Sequence, residues 1–400
     1  RRRIVDPRPI ESRRSKAGSF LRKPSRALAP LVTSRITQFE ENREYQLIFG
    51  FESDFPINPQ FGGVSPGSGF GVGFNFSTRD HLSKDFRIVG SSLVTLSHYV
   101  ENTAGFEITP RRLAKNQLRV GVAAKQSIRP KEDFFGVGPN SFRSERTTFF
   151  QRSVGVRVDA SWKVSKKITV GAFSEITRND VTDGSDPRGA PITAKFVAHP
   201  LAGLGRNIRL LDSGVSIELD NRDVPESPHS GWFTKFSFSN TEGLGRSNFG
   251  WRSYQIDSRA YIPLGTRDRV LALRLLGDLK DQKRDSDIPF FRLARLGDNE
   301  TLRGYELNRY QGSNALHLNV EYRFKLIQGI ETSGFRGIEA IFFGDFGQVF
   351  NSRQDFAWSN IRSSWGGGLQ FTSRESVALA MLYAQSPEGG KLIMRFGKTF

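Results

Sequence analysis

From residue 43 onward one pattern recurs: apolar and polar residues alternate with period two. Between residues 154 and 162, Val154, Val156, Val158, Ala160 and Trp162 share one face, while Gly155, Arg157, Asp159 and Ser161 share the other. Successive side chains of a strand point to opposite faces, so this stretch reads as a strand with two unlike sides. The phase repeats at Phe70, Val72, Phe74 and Phe76, at Leu271, Leu273 and Leu275, and at Leu316, Leu318, Val320, Tyr322 and Phe324. The opposite faces carry Arg157, Asp159, Asp257, Arg259, Arg274, Glu321 and Arg323. A soluble sandwich hides its apolar face and shows its polar one. Here one face is almost purely aliphatic and aromatic, and the other is dense in charges of both signs. So many strands of this kind fit an all-β chain closed as a transmembrane antiparallel β-barrel, with lipid outside and a wet, charged lumen.

Hydropathy agrees. The mean is −0.42, and no apolar run reaches the roughly 18 residues that a membrane helix needs. Alternating barrel strands keep the average low. The 34 phenylalanines and 40 glycines suit a lipid-facing, tightly turning sheet. The pattern predicts about 16 strands, near 44–51, 69–78, 85–98, 103–112, 117–126, 148–163, 167–177, 207–220, 231–240, 250–263, 269–279, 314–326, 336–350, 362–373, 375–384 and 390–400. A Gly/Pro-rich connection is expected from 56 to 69. The long connections, 127–147, 178–206 and 280–313, belong on the extracellular side. The first strand, around Tyr45 to Phe51, is short and contains Gly50, so it is expected to pair poorly with the last. An unpaired edge can template an incoming strand.

Residues 1–42 read differently. Residues 1–26 hold ten basic residues against Asp6 and Glu11, and Pro7, Pro9, Pro24 and Pro30 break any long helix. The expected organisation is a basic, disordered periplasmic extension (1–42) followed by an outer-membrane barrel (43–400). The net charge of +17 raises nucleic acid as a partner. Much of the excess lies in this tail and the rest is dispersed among acidic residues, so no nucleic acid is expected. Outer-membrane lipid and lipopolysaccharide are expected around the barrel, and client or partner proteins are candidates for the extension.

No catalytic site, cofactor or metal site is expected, and the chain does not read as an enzyme. There is no cysteine. His81, His98, His199, His229 and His317 are scattered without metal-ligand spacing. The glycine-rich run from Gly67 to Gly73 leads into a strand, so it presents no helix N-terminus to a phosphate.

The loop Leu296-Gly297-Asp298-Asn299-Glu300-Thr301-Leu302-Arg303-Gly304-Tyr305 sits between two predicted strands. By parity Glu321 and Asp345 face the lumen on the two strands after it. If the loop folds inward, Arg303 meets both carboxylates, and its fork satisfies two at once. Gly304 permits the sharp turn at the tip. An outward loop with an exposed arginine fits the spacing equally well.

Leu302-Arg303-Gly304-Tyr305 resembles the aliphatic–Arg–Gly–aromatic loop of the BamA/TamA (bacterial surface antigen) superfamily of outer-membrane assembly barrels. Residues 343–350 look like that family's aromatic–x–Asp–x–Gly–x–Val–aromatic strand, and Asn319-Val320-Glu321-Tyr322-Arg323-Phe324 looks like the strand before it. Residues 133–141 resemble a further family segment, as does Asp220-Asn221-Arg222-Asp223 followed by Pro228 and Gly231. The C-terminal run containing Phe396, Gly397 and Phe400 is similar to the family's last strand, and its aromatic end is the signal that barrels offer the assembly machinery. The resemblance implies a sixteen-strand barrel in the outer membrane of a Gram-negative-type cell. It also implies an inward-folded loop whose Arg303 contacts Glu321 and Asp345, and a role in inserting or translocating proteins. Assembly members of the family carry periplasmic POTRA domains, and residues 1–42 are too few for one. The expectations are therefore an insertase whose POTRA domains lie upstream, a barrel-only platform or export conduit for dedicated partners, or a diffusion pore.

Overall fold

The computed structural model describes residues 57–64, 68–78, 85–110, 117–186, 190–197, 200–225, 227–245, 247–328, 335–373 and 377–395. The chain divides into residues 1–33 and 34–400, and every described residue belongs to the second unit. The expected extension (1–42), the strand expected at 44–51, and Phe396, Gly397 and Phe400 all lie outside the described residues.

Among the described residues, sixteen antiparallel strands form one sheet in which each pairs with the strand before and after it in the sheet's order, which follows the sequence. They are β1 (Ile57–Gly62), β2 (Gly71–Ser77), β3 (Phe86–Thr95), β4 (Val100–Ile108), β5 (Leu118–Phe134), β6 (Thr147–Lys163), β7 (Ile168–Asp183), β8 (Asn207–Asp220), β9 (Gly231–Gly243), β10 (Gly250–Leu264), β11 (Thr266–Gln282), β14 (Asn314–Gln328), β15 (Phe335–Phe350), β16 (Arg362–Ser373), β17 (Val377–Ser386) and β18 (Gly389–Arg395). Inside the β11–β14 connection, β12 (Ala294–Leu296) and β13 (Tyr310–Gly312) pair as a separate small ribbon.

The alternation sorts the faces. Val154, Val156, Val158, Phe236, Leu275, Phe342 and Met394 are exposed, as lipid-facing residues of a barrel are. Arg157, Arg274, Glu321, Arg323 and Asp345 are buried on the inner side. Asp257 lies between Arg259 and Arg274, 2.5 and 3.1 Å from their guanidinium nitrogens. The sheet curls, because contacts bridge strands far apart in its order. At the long-loop end, Arg362 donates to the carbonyl of Pro139 in the β5–β6 loop (2.8 Å). At the other end, His229 of the β8–β9 turn lies 3.8 Å from Glu339 of β15.

Three sequence expectations are corrected. Residues 57–62 form β1 where a connection was expected. Its register runs from Ile57 opposite Phe76 to Gly62 opposite Gly71; Asn58, Pro59 and Gln60 interrupt the apolar pattern, and among the described residues β1 pairs with β2 alone, an edge position where proline is tolerated. β5 continues to Phe134 and β7 to Asp183, well into the expected loops. These upper segments leave the apolar band and turn polar residues outward, so hydropathy ends the strand before the hydrogen bonds do. The fourth strand starts at Val100 rather than 103, after a four-residue turn in which His98 takes a positive φ of 64°.

Candidate functional site

The connection between β11 and β14 enters the barrel, and its geometry is set locally. The Oδ1 of Asp298 accepts from the backbone N–H groups of Glu300 (2.7 Å) and Thr301 (2.6 Å) and from the Thr301 hydroxyl (2.9 Å). This is the turn-forming habit of aspartate. The carbonyl of Gly297 accepts from the N–H of Asn308 (2.7 Å), closing the loop on itself above the β12–β13 ribbon. Leu296, Leu302, Tyr305 and Tyr310 then pack with Ala294, Ala315 and Val349 in a buried apolar cluster.

This turn delivers Arg303 to the lumen side of β14 and β15, where its side chain is wholly buried. Its Nη2 lies 2.6 Å from Oδ1 of Asp345, and its Nε donates to both Asp345 oxygens at 3.1 Å. Its Nη1 donates to Glu321. Its backbone N–H donates to the other oxygen of Asp345 at 3.0 Å. The guanidinium lies over the Phe343 ring, 3.6 Å from the centroid, a cation–π contact shielded from water. Asp345 also accepts from Asn319 Nδ2 (2.7 Å) and Ser364 Oγ (3.0 Å). The second oxygen of Glu321 accepts from Arg323 Nε (2.8 Å), and Arg323 Nη2 lies 2.7 Å from it as an ion pair. Two guanidiniums thus face two carboxylates with the charge balanced, which is the condition for burying ions at tolerable cost.

Register explains the convergence. Asn319 stands opposite Asp345 across β14 and β15, and Asp345 stands opposite Ser364 across β15 and β16. Gly304 follows Arg303 where no side chain fits: a Cβ there would lie 2.8 Å from Ser364 Cβ and 3.0 Å from the backbone of Gln385. Its carbonyl accepts from Ser386 Oγ (2.9 Å), and the carbonyl of Tyr305 accepts from Lys391 Nζ (3.3 Å), tying the tip to β17 and β18.

A second anchor escaped the sequence reading. Arg309, 3% exposed, makes a forked contact with both carboxylate oxygens of Glu388 in the β17–β18 turn, at 2.9 Å from Nε. It also donates to the hydroxyl and carbonyl of Ser141 at 2.9 and 2.8 Å. The N–H of Gly138 donates to the Gln311 carbonyl (2.6 Å), so the β5–β6 loop joins the assembly. Seventy-nine residues separate Arg309 from Glu388, and no local pattern marks the pair.

Asp220, Arg222, Asp223 and Gly231 lie elsewhere, in the β8–β9 turn at the short-turn end. Asp220 clamps Arg222 through Nε (2.9 Å) and Nη2 (2.7 Å). Asp223 Oδ1 accepts from the N–H groups of Val224, His229 and Ser230, at 2.9, 3.0 and 3.2 Å. Partial burial pushes the Asp223 carboxyl up, but these donors outweigh it and hold its pKa below the usual value. Gly231 has φ +98°, and a Cβ there would lie 2.2 Å from the Asn221 carbonyl, so only glycine fits. These four residues shape a turn and do not join the Arg303 cluster.

The Omp85 superfamily domain matches residues 67–374. Among solved structures the chain is similar to BamA from Haemophilus ducreyi lacking POTRA domains 1–3, with 13% identity and a TM-score of 0.62 over 86% of this chain and 69% of that one. It is also similar to CdiB from Escherichia coli, with 13% identity and a TM-score of 0.54 over 87% of this chain and 63% of that one. At such identities the likeness is one of fold. No curated protein matches the sequence.

Proposed function

Because the chain belongs to the Omp85 superfamily of outer-membrane β-barrels, we propose that it assembles or translocates proteins at the outer membrane through the flank where its strands are shortest. The supporting observation is the length of β2. It has seven residues and is bounded on both sides by described, non-strand residues. A tilted transmembrane strand needs roughly 9–11 residues, and β5, β6 and β11 have 17 each. Beside β2, the described β1 is six residues long, contains Pro59, and pairs only with β2 among the described residues. A short flank thins the bilayer around it, and an edge strand that lacks a second partner can template an incoming strand.

Within this reading the Arg303, Gly304, Tyr305, Glu321 and Asp345 assembly is a structural latch. It keeps the β11–β14 connection in the lumen and stiffens β14–β16 while the β1–β2 flank gives way. A loop held there also argues against a diffusion pore, so planar-bilayer conductance is expected to be low. The purified barrel in liposomes is expected to speed the folding of a urea-denatured barrel client. No acceleration by protein shown to be folded contradicts the proposal.

A second reading, a platform or export conduit for dedicated partner proteins, rests on the ten basic residues of segment 1–26. It predicts a stoichiometric partner that co-purifies with the chain and is lost on deletion of 1–42. Client folding without such a partner contradicts it.

A further inference from the structure

The outward face of β6 to β10 carries a feature that the assembly reading does not use. Arg152, Arg178, Arg209 and Arg252 are all exposed and stand on β6, β7, β8 and β10. Counted from the inner strand ends at Lys163, Ile168, Asp220 and Leu264, each lies 10–12 residues up its strand. They therefore share one height on the barrel wall. Trp162 and Trp232 lie one residue from the inner ends of β6 and β9 and are half-exposed, where interfacial tryptophans belong. From Trp162 to Arg152 is ten residues, about 34 Å along the strand and, at barrel tilt, about 25 Å of membrane thickness. Between them the outward positions of β6 are Val154, Val156, Val158 and Ala160. The arginines thus mark the outer edge of the apolar band, at the level of outer-leaflet head groups.

Their mutual placement calls for an anion. Arg178 and Arg209 are direct cross-strand partners, and like charges in that position destabilise a sheet unless something neutralises them. The acidic groups on this face account for only part of the charge. Asp180, opposite Arg152, is 4.0 Å from Arg178. Glu242 is paired with Lys283 (2.9 Å), and Asp281, opposite Arg252, with Arg353 (3.6 Å). Arg152, Arg209 and Arg252 enter no ion pair among the described residues.

We propose that this arc is a binding site for the phosphate groups of lipid A, the phosphorylated glycolipid anchor of lipopolysaccharide. Acyl chains would lie along the Val154, Ile176 and Val215 face, and arginine forks would hold the phosphates. The site rests on the barrel's place in the outer membrane and is independent of client insertion.

The test uses the full chain in detergent micelles, with bound lipid counted by native mass spectrometry. Bisphosphorylated lipid A is compared with enzymatically dephosphorylated lipid A and with phosphatidylglycerol. The wild type is expected to retain bisphosphorylated lipid A in preference to both. Arg178→Gln/Arg209→Gln is expected to bind it at least about tenfold more weakly, and Arg178→Lys/Arg209→Lys, which keeps the charge but not the fork, is expected to fall between that variant and the wild type. Arg284→Gln, on an exposed loop side chain, is expected to change nothing. Heat-modifiable gel mobility verifies folding of each variant. Equal retention by wild type and the double glutamine variant overturns the site. Equal retention of lipid A and phosphatidylglycerol overturns the assignment to lipid A.

Discussion

Replacing Arg303 by alanine removes the cation that two buried carboxylates share. Asp345 would keep Asn319 Nδ2 (2.7 Å) and Ser364 Oγ (3.0 Å), and Glu321 would keep Arg323 (2.7 Å). Asp345 would lose both side-chain donors of its fork, and no other guanidinium faces it among the described residues. Breaking a buried ion pair by removing one partner costs about 3–5 kcal/mol, and the contact with Phe343 adds up to about 2 kcal/mol when desolvated. Part of this returns if water enters the lumen and solvates the carboxylates. A net loss of about 3 kcal/mol corresponds to a shift of more than a hundredfold in the folding equilibrium. Urea titration of the barrel in lipid, read by heat-modifiable mobility, measures it. Asp345→Asn removes the charge that Arg303 answers, so the double variant is expected to be less destabilised than the sum of the singles, with a coupling of about 1–3 kcal/mol. The latch is refuted if Arg303→Ala lies within about 0.5 kcal/mol of wild type, or if the two substitutions add.

Three other outcomes follow from the same geometry. Gly304→Ala places a Cβ 2.8 Å from Ser364 Cβ and is expected to cost about 1–3 kcal/mol, with faster protease cleavage in 297–309 under limited digestion; unchanged cleavage counts against the close contact. Arg309→Ala, which takes the guanidinium from Ser141 and leaves the Glu388 carboxylate with the Tyr310 hydroxyl, is expected to expose the same segment to protease while leaving Arg303 in place, so its effect should add to that of Gly304→Ala only in part. Asp223 has a folded pKa below its ordinary value; its contribution is therefore complete above that ordinary value, about pH 4, and is lost as pH falls through the lowered one. The stability gap between wild type and Asp223→Asn should be constant near neutrality and should close in acid, and a gap that widens in acid contradicts the assignment.

The lipid-facing residues were the easiest to read from sequence. A bilayer leaves little freedom at an outward position, so Val154, Val156, Val158 and Trp162 show their face without any knowledge of neighbours. Parity alone also puts Glu321 and Asp345 inside. What it does not provide is the register between strands, and without that Asn319 and Ser364 are not visible as partners of Asp345, nor Phe343 as the floor beneath Arg303. β1 was missed because Asn58, Pro59 and Gln60 break the alternation, and the upper parts of β5 and β7 because their outward residues meet water or head groups instead of lipid. The β12–β13 ribbon has three residues a side, too few for any period to show. Arg309 and Glu388 meet only because the sheet curls and the loop descends, which is information carried by the whole fold.

The central claim is that the short flank receives an incoming strand, and the absence of native cysteine allows a direct test. A single cysteine is placed in β1 at Ile57 or, as a control, in β11 at Leu275, and a second cysteine in the terminal strand of a barrel client arrested during folding. Disulfide trapping is expected to join the client to β1 and not to β11. Trapping absent from β1, or equally frequent at both strands in protein shown to be folded, contradicts the account.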